Sequence, residues 1–346
     1  MNFKKTDLQK NRVDDRPLLN ILYGLAGAQA LHVAHDMKLF KLLSKRPLRL
    51  SEICDEYNIH PRAAQAMLSM LASQELIRLT DEKHYTLTEI SEDYLLEESP
   101  TYFGSILDRS WQLSEVYSFK SFKEALMTNT SQVYGGDDFF GTNEQKRALT
   151  KSFTKSMHSK SMGPASAWPF LLDLSDSNCM LDVGGGSGAH SIWAVLSCPQ
   201  LQAIVYDRPL VCEVAEEVIR KVHLQDKIET CAGDMWQDDY PEADLHFYSD
   251  IFHDWTPEQC AFLAEKSFES LQPSGQIILH EMLFENDKTG PYPVAAYNIF
   301  MLLWAKGQQF SKKELREILE NKGFIDVRVE KTGFGDWSVV IGQKPG

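Results

Sequence analysis

The chain has 346 residues, of which 43% are hydrophobic and 24% are charged. This length favours two domains, and the composition is that of a globular protein rather than a disordered or fibrous one. The formal net charge of −14 argues against nucleic acid or an anionic membrane as a partner, because both are bound through concentrated Lys and Arg side chains. We find no apolar run that fits a membrane span or a signal peptide, so we expect a cytoplasmic protein.

The cysteines give no sign of a metal site. Six of them are scattered along the chain without a C-x-x-C pair. Such spacing fits neither a zinc site nor a disulfide framework. We therefore predict reduced, mostly buried thiols and no bound metal.

The N-terminal part of the chain predicts an arm followed by a helix. Residues 1–16 are polar and charged, and we interpret them as a mobile arm. From Leu18 to Leu43 apolar residues recur at helical spacing, with several Gly and Ala residues between them. Small residues allow close approach of another backbone, either within the domain or at a subunit interface, and the sequence leaves both open.

A winged-helix pattern follows. Ser51 is expected to cap a short helix, and Pro61 to open a second one that runs to about Glu75. The apolar stretches 76–79 and 84–87 predict two paired strands across a tight turn. These elements belong to a mostly helical N-terminal domain, which we place at residues 17–170.

After residue 170 the pattern predicts a Rossmann-like α/β domain over residues 171–346. Short apolar strands alternate with helices, which favours a parallel, doubly wound sheet. The expected strands are Met180–Val183, Ala203–Tyr206, Leu245–Tyr248 and Ile277–Glu281.

A glycine-rich turn follows the first of these strands. Gly184, Gly186 and Gly188 lie between that strand and the next helix, where the backbone can turn sharply against a ligand. The turn alone fits either a dinucleotide or S-adenosylmethionine. The next strand ends at Asp207, which can accept hydrogen bonds from ribose hydroxyls of either cofactor.

Acidic residues separate the two cofactors. Asp182 lies two residues before the first glycine, where a carboxylate would repel a pyrophosphate but attract the positive charges of S-adenosylmethionine. Asp234 and Met235 are placed to contact an adenine amino group and ring. We therefore predict S-adenosylmethionine as the cofactor.

The segment from Asp250 to Trp255 follows the strand that begins at Leu245, so it lies at the carboxyl edge of the sheet, where such sheets hold ligands. His253 is the candidate general base for deprotonating an acceptor hydroxyl. Glu281 ends the neighbouring strand and is expected to orient the imidazole and stabilise its charged form. Asp254 is expected to cap the following helix, and His280 to point to the opposite face of the sheet.

Together these residues resemble the small-molecule O-methyltransferases, a family that includes plant caffeic acid and flavonoid enzymes, acetylserotonin methyltransferase and bacterial natural-product enzymes. The matching segments are 181–188, 206–209, 233–235, 253–255 and Glu281, in the family's order and spacing. The resemblance runs from about residue 18 to residue 343.

The resemblance implies roles for individual residues. Gly184, Asp207, Asp234 and Met235 would bind the donor, together with Arg208 of the matching segment. His253 would be the base and Glu281 its partner. The remaining candidates lie on helices: Phe153 and Met157 would contact the acceptor, Ser161 would lie near the donor carboxylate, and Asn298 and Met301 would line the acceptor pocket.

The chain departs from the family pattern at two positions. Ser249, a candidate donor contact, stands where plant members have a Lys four residues before the catalytic His. Gln309 begins the segment that corresponds to the family's E-R-T, which often supplies a second carboxylate. A pair of carboxylates around the base is therefore not implied by the resemblance alone.

The expected activity is methyl transfer from S-adenosylmethionine to a hydroxyl of a small aromatic or polyketide-like metabolite. The resemblance also implies a homodimer formed through the N-terminal domain. One alternative is a relative that uses the bound sulfonium for decarboxylation, hydroxylation or a pericyclic reaction. Another is a winged-helix transcriptional regulator, which the acidic balance and the sparse basic residues of the helix after Pro61 disfavour.

Overall fold

The computed structural model describes residues 12–133 and 144–346, the side chains of the second range from residue 147 onwards. Most of the predicted arm therefore lies outside the described residues. Within them, no helix combines the length and apolar character needed to cross a membrane. The chain divides into two compact units between Asp108 and Arg109.

The N-terminal unit is mostly helical and contains the predicted pair of short strands. Its elements are α1 (Arg16–Asp36), α2 (Leu39–Lys45), α3 (Leu50–Tyr57), α4 (Pro61–Ser73), β1 (Ile77–Leu79), β2 (Tyr85–Leu87) and α5 (Glu89–Tyr94), and α6 (Gly104–Gln112) begins in it. β1 and β2 pair antiparallel, with Ile77 opposite Leu87. Pro61 opens α4 as expected.

Two local details of this unit differ from the predictions. The apolar stretch from Leu18 to Leu43 is two helices, because Lys38 adopts a left-handed conformation with φ +58° and ends the first of them. Ser51 does not cap α3: the helix begins at Leu50, and the backbone amide of Arg49 donates to the Glu52 carboxylate. The N-terminus of the helix is thus capped by the side chain of its third residue, which accepts from the backbone amide before the helix, and not by a serine hydroxyl.

The C-terminal unit is built on a seven-stranded sheet in the order β5-β4-β3-β6-β7-β9-β8. The strands are β3 (Cys179–Val183), β4 (Gln202–Asp207), β5 (Ile228–Ala232), β6 (Leu245–Ser249), β7 (Gln276–Met282), β8 (Ile325–Lys331) and β9 (Trp337–Gln343). β3 to β7 are parallel, which confirms the predicted fold class. At one edge, β9 runs antiparallel to both of its neighbours, β7 and β8, an addition that the alternating pattern did not indicate.

The unit also contains seven α-helices that begin and end within its described residues. They are α7 (Phe119–Thr128), α8 (Glu144–Ala165), α9 (Ala189–Ser197), α10 (Pro209–Lys221), α11 (Pro257–Ser270), α12 (Tyr292–Trp304) and α13 (Lys312–Asn321). The two compact units meet at residue 108, well before the expected boundary near residue 170, because α8 packs on α9 and α10. The functional boundary near residue 170 stays a prediction.

Strand alternation gives the sheet two separate cores. On one face Leu181 and Leu279 pack with Leu263 of α11 and Leu315 of α13. On the other, Phe247 and Ile278 pack with residues of α9 and α10. Neighbouring residues of one strand thus support opposite layers, as a period of two requires. The parallel strands are held rigidly, and their carboxyl ends form a fixed edge.

The helix that follows the His253 segment has a defined start. Thr256, not Asp254, is the N-cap of α11: the Gln259 amide donates to Thr256 Oγ1 at 3.4 Å, and the Thr256 amide donates to Gln259 Oε1 at 3.3 Å. This capping box corrects the expectation for Asp254, whose carboxylate remains available to the neighbouring site. The cap lies three residues after His253 and fixes where the helix begins.

We expect Thr256→Ala to lower the free energy of unfolding by about 1 kcal/mol, because it leaves helix amides without an acceptor. Thr256→Ser keeps the hydroxyl and is the matched control, expected to stay close to the wild type. Urea unfolding of the three proteins measures the difference. Equal stability of the Ala and Ser variants would mean that the cap contributes nothing.

Candidate active site

The predicted site residues gather at the carboxyl edge of the parallel strands. The glycine turn follows β3, Asp207 ends β4, and Asp234 comes soon after β5. His253 lies in a 3₁₀ turn after β6, and Glu281 is near the end of β7. Five strands that are distant in sequence thus deliver their terminal residues to one place.

The glycine turn has the backbone that its sequence predicts. Gly184, Gly186 and Gly188 have φ of +69°, +59° and +78°, which favour glycine. The Gly184 amide donates to the Tyr206 carbonyl at 2.8 Å, which ties the turn to β4. A Cβ on Gly186 would meet no atom within 4 Å, so this part of the turn has an open side where a ligand can lie against the backbone.

Two carboxylates border the turn, one buried (Asp182) and one half-buried (Asp207). Asp182 accepts a hydrogen bond from Ser191 Oγ at 2.7 Å, and Asp207 accepts from the Gly186 amide at 2.9 Å. Burial raises the pKa of Asp182 to about 7 and that of Asp207 to about 6. A cationic ligand would favour the ionised forms of both groups, whereas a pyrophosphate would oppose them. The donor set therefore fits S-adenosylmethionine.

Asp234 and Arg208 form an ion pair beside this turn. Arg208 Nη1 lies 2.7 Å from Asp234 Oδ2, and the Trp236 amide donates to Asp234 Oδ1 at 2.9 Å. Met235 is partly buried against the core. The structure brings all three predicted residues to the carboxyl edge of the sheet, beside the glycine turn. Their direct contact with adenine stays a prediction.

Ser249 and His280 contact each other on the face of the sheet away from His253. Ser249 Oγ lies 2.9 Å from His280 Nδ1, and the His280 ring stacks on Trp337 with centroids 4.6 Å apart. His280 therefore points to the opposite face, as the strand period requires. The Ser249 hydroxyl is already engaged, so its role toward the donor stays a prediction.

His253 and Glu281 are buried together. His253 Nδ1 lies 2.8 Å from Glu281 Oε2, and the two side chains are only 4% and 2% exposed. The His253 backbone amide also donates to Glu281 Oε1 at 3.4 Å. Glu281 thus contacts both the ring and the backbone of the residue that it was expected to orient.

The structure adds three residues that the sequence reasoning did not assign to the site: Lys160 of α8, Asp250 and Tyr297 of α12. Lys160 Nζ donates to Asp250 Oδ2 at 2.7 Å and to the Tyr297 hydroxyl at 2.6 Å. Asp250 Oδ1 lies 3.4 Å from His253 Nδ1. The available signal was adjacency: Asp250 follows β6 directly, and Lys160 and Tyr297 precede the candidates Ser161 and Asn298 by one residue.

These charges set the protonation of His253. Burial lowers its pKa, but the carboxylates of Glu281 and Asp250 outweigh burial and raise it to about 9. Burial raises the pKa of Asp250, but Lys160 and His253 bring it below its usual value. The free protein therefore favours the imidazolium form of His253.

The cluster also has the spacing of a cation site, since Asp250, His253 and Glu281 offer donor atoms within 4.8 Å of one another. Lys160 already supplies a positive charge 2.7 Å from Asp250 and would repel a divalent ion there. We therefore interpret the cluster as a proton-transfer site and assign no metal to it.

The helical candidates occupy α8 and α12. On α8, Phe153 lies 6.4 Å from the Trp304 ring, while Met157 and Ser161 are partly buried further along the helix. On α12, Asn298 Oδ1 accepts from the Gln309 amide at 2.8 Å, and Met301 is 4% exposed. Asn298 therefore supports the Gln309 loop and Met301 packs, so their contacts with an acceptor stay predictions.

Comparisons with known proteins agree with this arrangement. A family model described as the O-methyltransferase domain matches residues 119–325, and a second, the O-methyltransferase dimerisation domain, matches residues 19–97. Two curated relatives cover nearly the whole chain. The tetracenomycin polyketide synthesis 8-O-methyl transferase TcmO of Streptomyces glaucescens is 26% identical, covering 95% of this chain and 96% of its own. The 3-hydroxy-5-methyl-1-naphthoate 3-O-methyltransferase of Streptomyces sahachiroi is 28% identical, covering 94% of both.

Among solved structures, human N-acetylserotonin methyltransferase in complex with SAM is similar in fold. It superposes with a TM-score of 0.84 at 24% identity, covering 98% of this chain and 100% of that one. The catalytic-domain match spans more than half of the chain. With the donor edge and the His253–Glu281 pair described above, it follows that this chain belongs to the family of S-adenosylmethionine-dependent O-methyltransferases.

Proposed function

We propose that this enzyme methylates a hydroxyl of a small aromatic or polyketide-like metabolite, with His253 as general base and Glu281 as its partner. The observation that carries the proposal is the buried contact between His253 Nδ1 and Glu281 Oε2 at 2.8 Å. It places a carboxylate against Nδ1 and leaves Nε2 for the acceptor. Asp254 Oδ1 lies 3.7 Å from Nε2.

A continuous series of aromatic rings supports an aromatic acceptor. The His253 ring lies 5.5 Å from Tyr297, Tyr297 lies 6.1 Å from Phe300, and Phe300 lies 4.9 Å from Tyr117. Phe300 is 38% exposed, so part of this surface remains available to a ligand. Flat rings offer apolar area and stacking geometry to another ring. The names of the relatives, which act on a polyketide and a naphthoate, agree with this class.

The cofactor and the protein divide the chemistry between them. S-adenosylmethionine supplies an electrophilic methyl group on a sulfonium, and Gly186, Asp207 and Asp182 are the residues that would hold it. His253 accepts the proton of the acceptor hydroxyl at Nε2. A phenol with a pKa of about 10 is only about one part in a thousand ionised at pH 7, so removal of its proton lowers the barrier substantially. Glu281 stabilises the imidazolium that results.

We also propose that the enzyme is a homodimer held by its N-terminal unit. Leu18, Ile21, Leu22 and Leu25 recur at helical spacing on α1 and are 66%, 71%, 68% and 67% exposed. A continuous apolar stripe of this kind marks an interaction surface. The match of residues 19–97 to a dimerisation domain indicates a second copy as its partner. The cytoplasmic location and the absence of a nucleic acid partner stay predictions.

Incubation with methyl-deuterated S-adenosylmethionine and a panel of phenols should give products that carry the labelled methyl group on oxygen, detected by mass spectrometry. His253→Ala should reduce turnover by about 10²- to 10⁴-fold, since the base is lost. Calorimetric titration should show that the variant still binds S-adenosylmethionine.

Two results would contradict this proposal. Unchanged turnover of His253→Ala would reject the base, and product lacking the label would indicate sulfonium chemistry without methyl transfer. His223→Asn, at an exposed residue after α10 whose left-handed backbone Asn tolerates, is the control for a general effect of removing a histidine.

The rate should depend on pH through His253. Its raised pKa of about 9 means that the active neutral form grows with pH, so kcat/KM should rise about tenfold per unit up to that value. The apparent pKa in the pH profile of kcat should be lower than that of kcat/KM, because the positive charge of a bound sulfonium disfavours the imidazolium. A pH-rate series on the wild type and His253→Ala tests this, and a wild-type rate that falls between pH 7 and 9 would contradict it.

Leu22→Glu should convert the dimer to a monomer, because it places a charge in the apolar stripe of α1. Leu196→Glu is the matched control: the same change at a 54% exposed leucine of α9. Light scattering after size exclusion gives the mass of each protein. A monomeric wild type, or two dimeric variants, would show that this stripe is not the interface.

A further inference from the structure

We propose that Asp250 and Lys160 are positioning residues that give His253 a second carboxylate, one whose charge is partly compensated by the lysine. This inference deepens the proposed function and rests on His253 acting as the base. It also bears on Gln309, a buried and uncharged side chain in the loop that lies against the His253 segment.

The backbone places Asp250 for this purpose. Asp250 follows β6 directly with φ +54°, a left-handed conformation that Asp and Asn tolerate better than other non-glycine residues. Its amide donates to the His280 carbonyl at 3.2 Å, which fixes it to β7. The side chain then turns toward the ring three residues later, and Oδ1 lies 3.4 Å from His253 Nδ1.

Nδ1 of His253 therefore faces two carboxylates from different segments. Glu281 Oε2 lies 2.8 Å from it and Asp250 Oδ1 3.4 Å from it. Both draw the proton toward Nδ1 and leave Nε2 as the basic nitrogen once the ring is neutral. Gln309 is buried, and neither side-chain atom of its amide has a hydrogen-bond partner within the described ranges, so it supplies no charge to the ring.

Lys160 keeps this arrangement from holding the proton too tightly. Its ammonium lies 2.7 Å from Asp250 and 2.6 Å from the Tyr297 hydroxyl, and its side chain is only 13% exposed. With His253 neutral, the charges of Glu281, Asp250 and Lys160 sum to minus one. Without the lysine they would sum to minus two, and the ring would give up its proton less readily.

Other groups also face this cluster. Asp254 of the same segment approaches Nε2, Tyr297 of α12 faces the ring, and Cys260 of α11 lies near Glu281 and Asp254. On the far side, His190 of α9 interacts electrostatically with both Asp250 and Lys160. Burial lowers the pKa of His190 to about 4, so it is neutral over the range of interest and adds no charge.

Two single variants should shift His253 in opposite directions. Asp250→Asn keeps the left-handed backbone and removes one negative charge, so the pKa of His253 should fall by at least about one unit. Lys160→Met keeps most of the side-chain volume and removes the positive charge, so the pKa should rise. The double variant should lie between the two. Asp226→Asn, the same change at an exposed aspartate, should have no effect.

The pKa is measured by NMR titration of ¹³C-labelled histidine in the intact protein without donor or acceptor. The signal of His253 is assigned as the one missing from His253→Gln among the ten histidines. Opposite shifts support the inference. Shifts under about 0.3 units in both variants, or shifts of the same sign, overturn it, since loss of packing alone has no reason to produce opposite signs.

The same variants should also be assayed over a range of pH. The apparent pKa in the pH profile of kcat/KM should shift in the same direction as the pKa of His253 measured by NMR. This separates the two proposals. Opposite NMR shifts in a protein that methylates no hydroxyl would overturn the proposed function and leave the electrostatic inference supported. Methylation with unmoved NMR titrations would overturn the inference and leave the function.

Discussion

The buried contact between His253 and Glu281 is the interaction on which the rest of the site depends. Each side chain is almost fully removed from water, and a buried charge is costly unless it is paired. The pairing requires that the end of β7 and the turn after β6 stay in fixed register, which the parallel ladder provides with Ser249 opposite His280. The two cores on either face of the sheet hold that ladder rigid. Packing far from the site therefore decides how closely His253 and Glu281 approach each other.

Helix α8 contacts both the glycine turn and the segment that contains His253. His158 Nδ1 lies 2.7 Å from Ser187 Oγ in the glycine turn, and Lys160 contacts Asp250 beside His253. Burial lowers the pKa of His158 to about 4, so this contact is between neutral groups. One helix thus contacts both the glycine turn and the segment that contains His253. Movement of α8 would disturb both at once.

The sequence predicted the parts of the site that lie next to strand ends. The glycine turn, Asp207, His253 and Glu281 follow or end apolar strands, and the carboxyl edge of a parallel sheet necessarily collects such residues. The local pattern did not reveal β5, since its partly polar sequence alternates weakly. It also missed the antiparallel strands β8 and β9, because strand direction is set by tertiary pairing.

The strand-end pattern could not predict that Lys160 and Tyr297 belong to the site. Both lie on helices, α8 and α12, and a helical pattern shows which face is apolar but not which strand end that face meets. The break at Lys38 and the cap at Thr256 were misjudged on a smaller scale, because a left-handed residue or a reciprocal hydrogen bond is decided by a few atoms. The raised pKa of His253 was also out of reach of the sequence, because it depends on charges that only the fold brings together.

Gln309 is consistent with this charge balance. The loop that contains Gln309 lies against the His253 segment, since a Cβ on Gly307 would collide with the His253 carbonyl. The backbone amide of Gln309 donates to Asn298 Oδ1. A carboxylate in the Gln309 loop would add a further negative charge to a region that already contains Glu281, Asp250 and Asp254. Lys160 and His253 would oppose those four charges, and the ring would retain its proton more strongly. With Asp250 beside the imidazole, an uncharged residue at position 309 keeps His253 closer to the range in which it can act as a base.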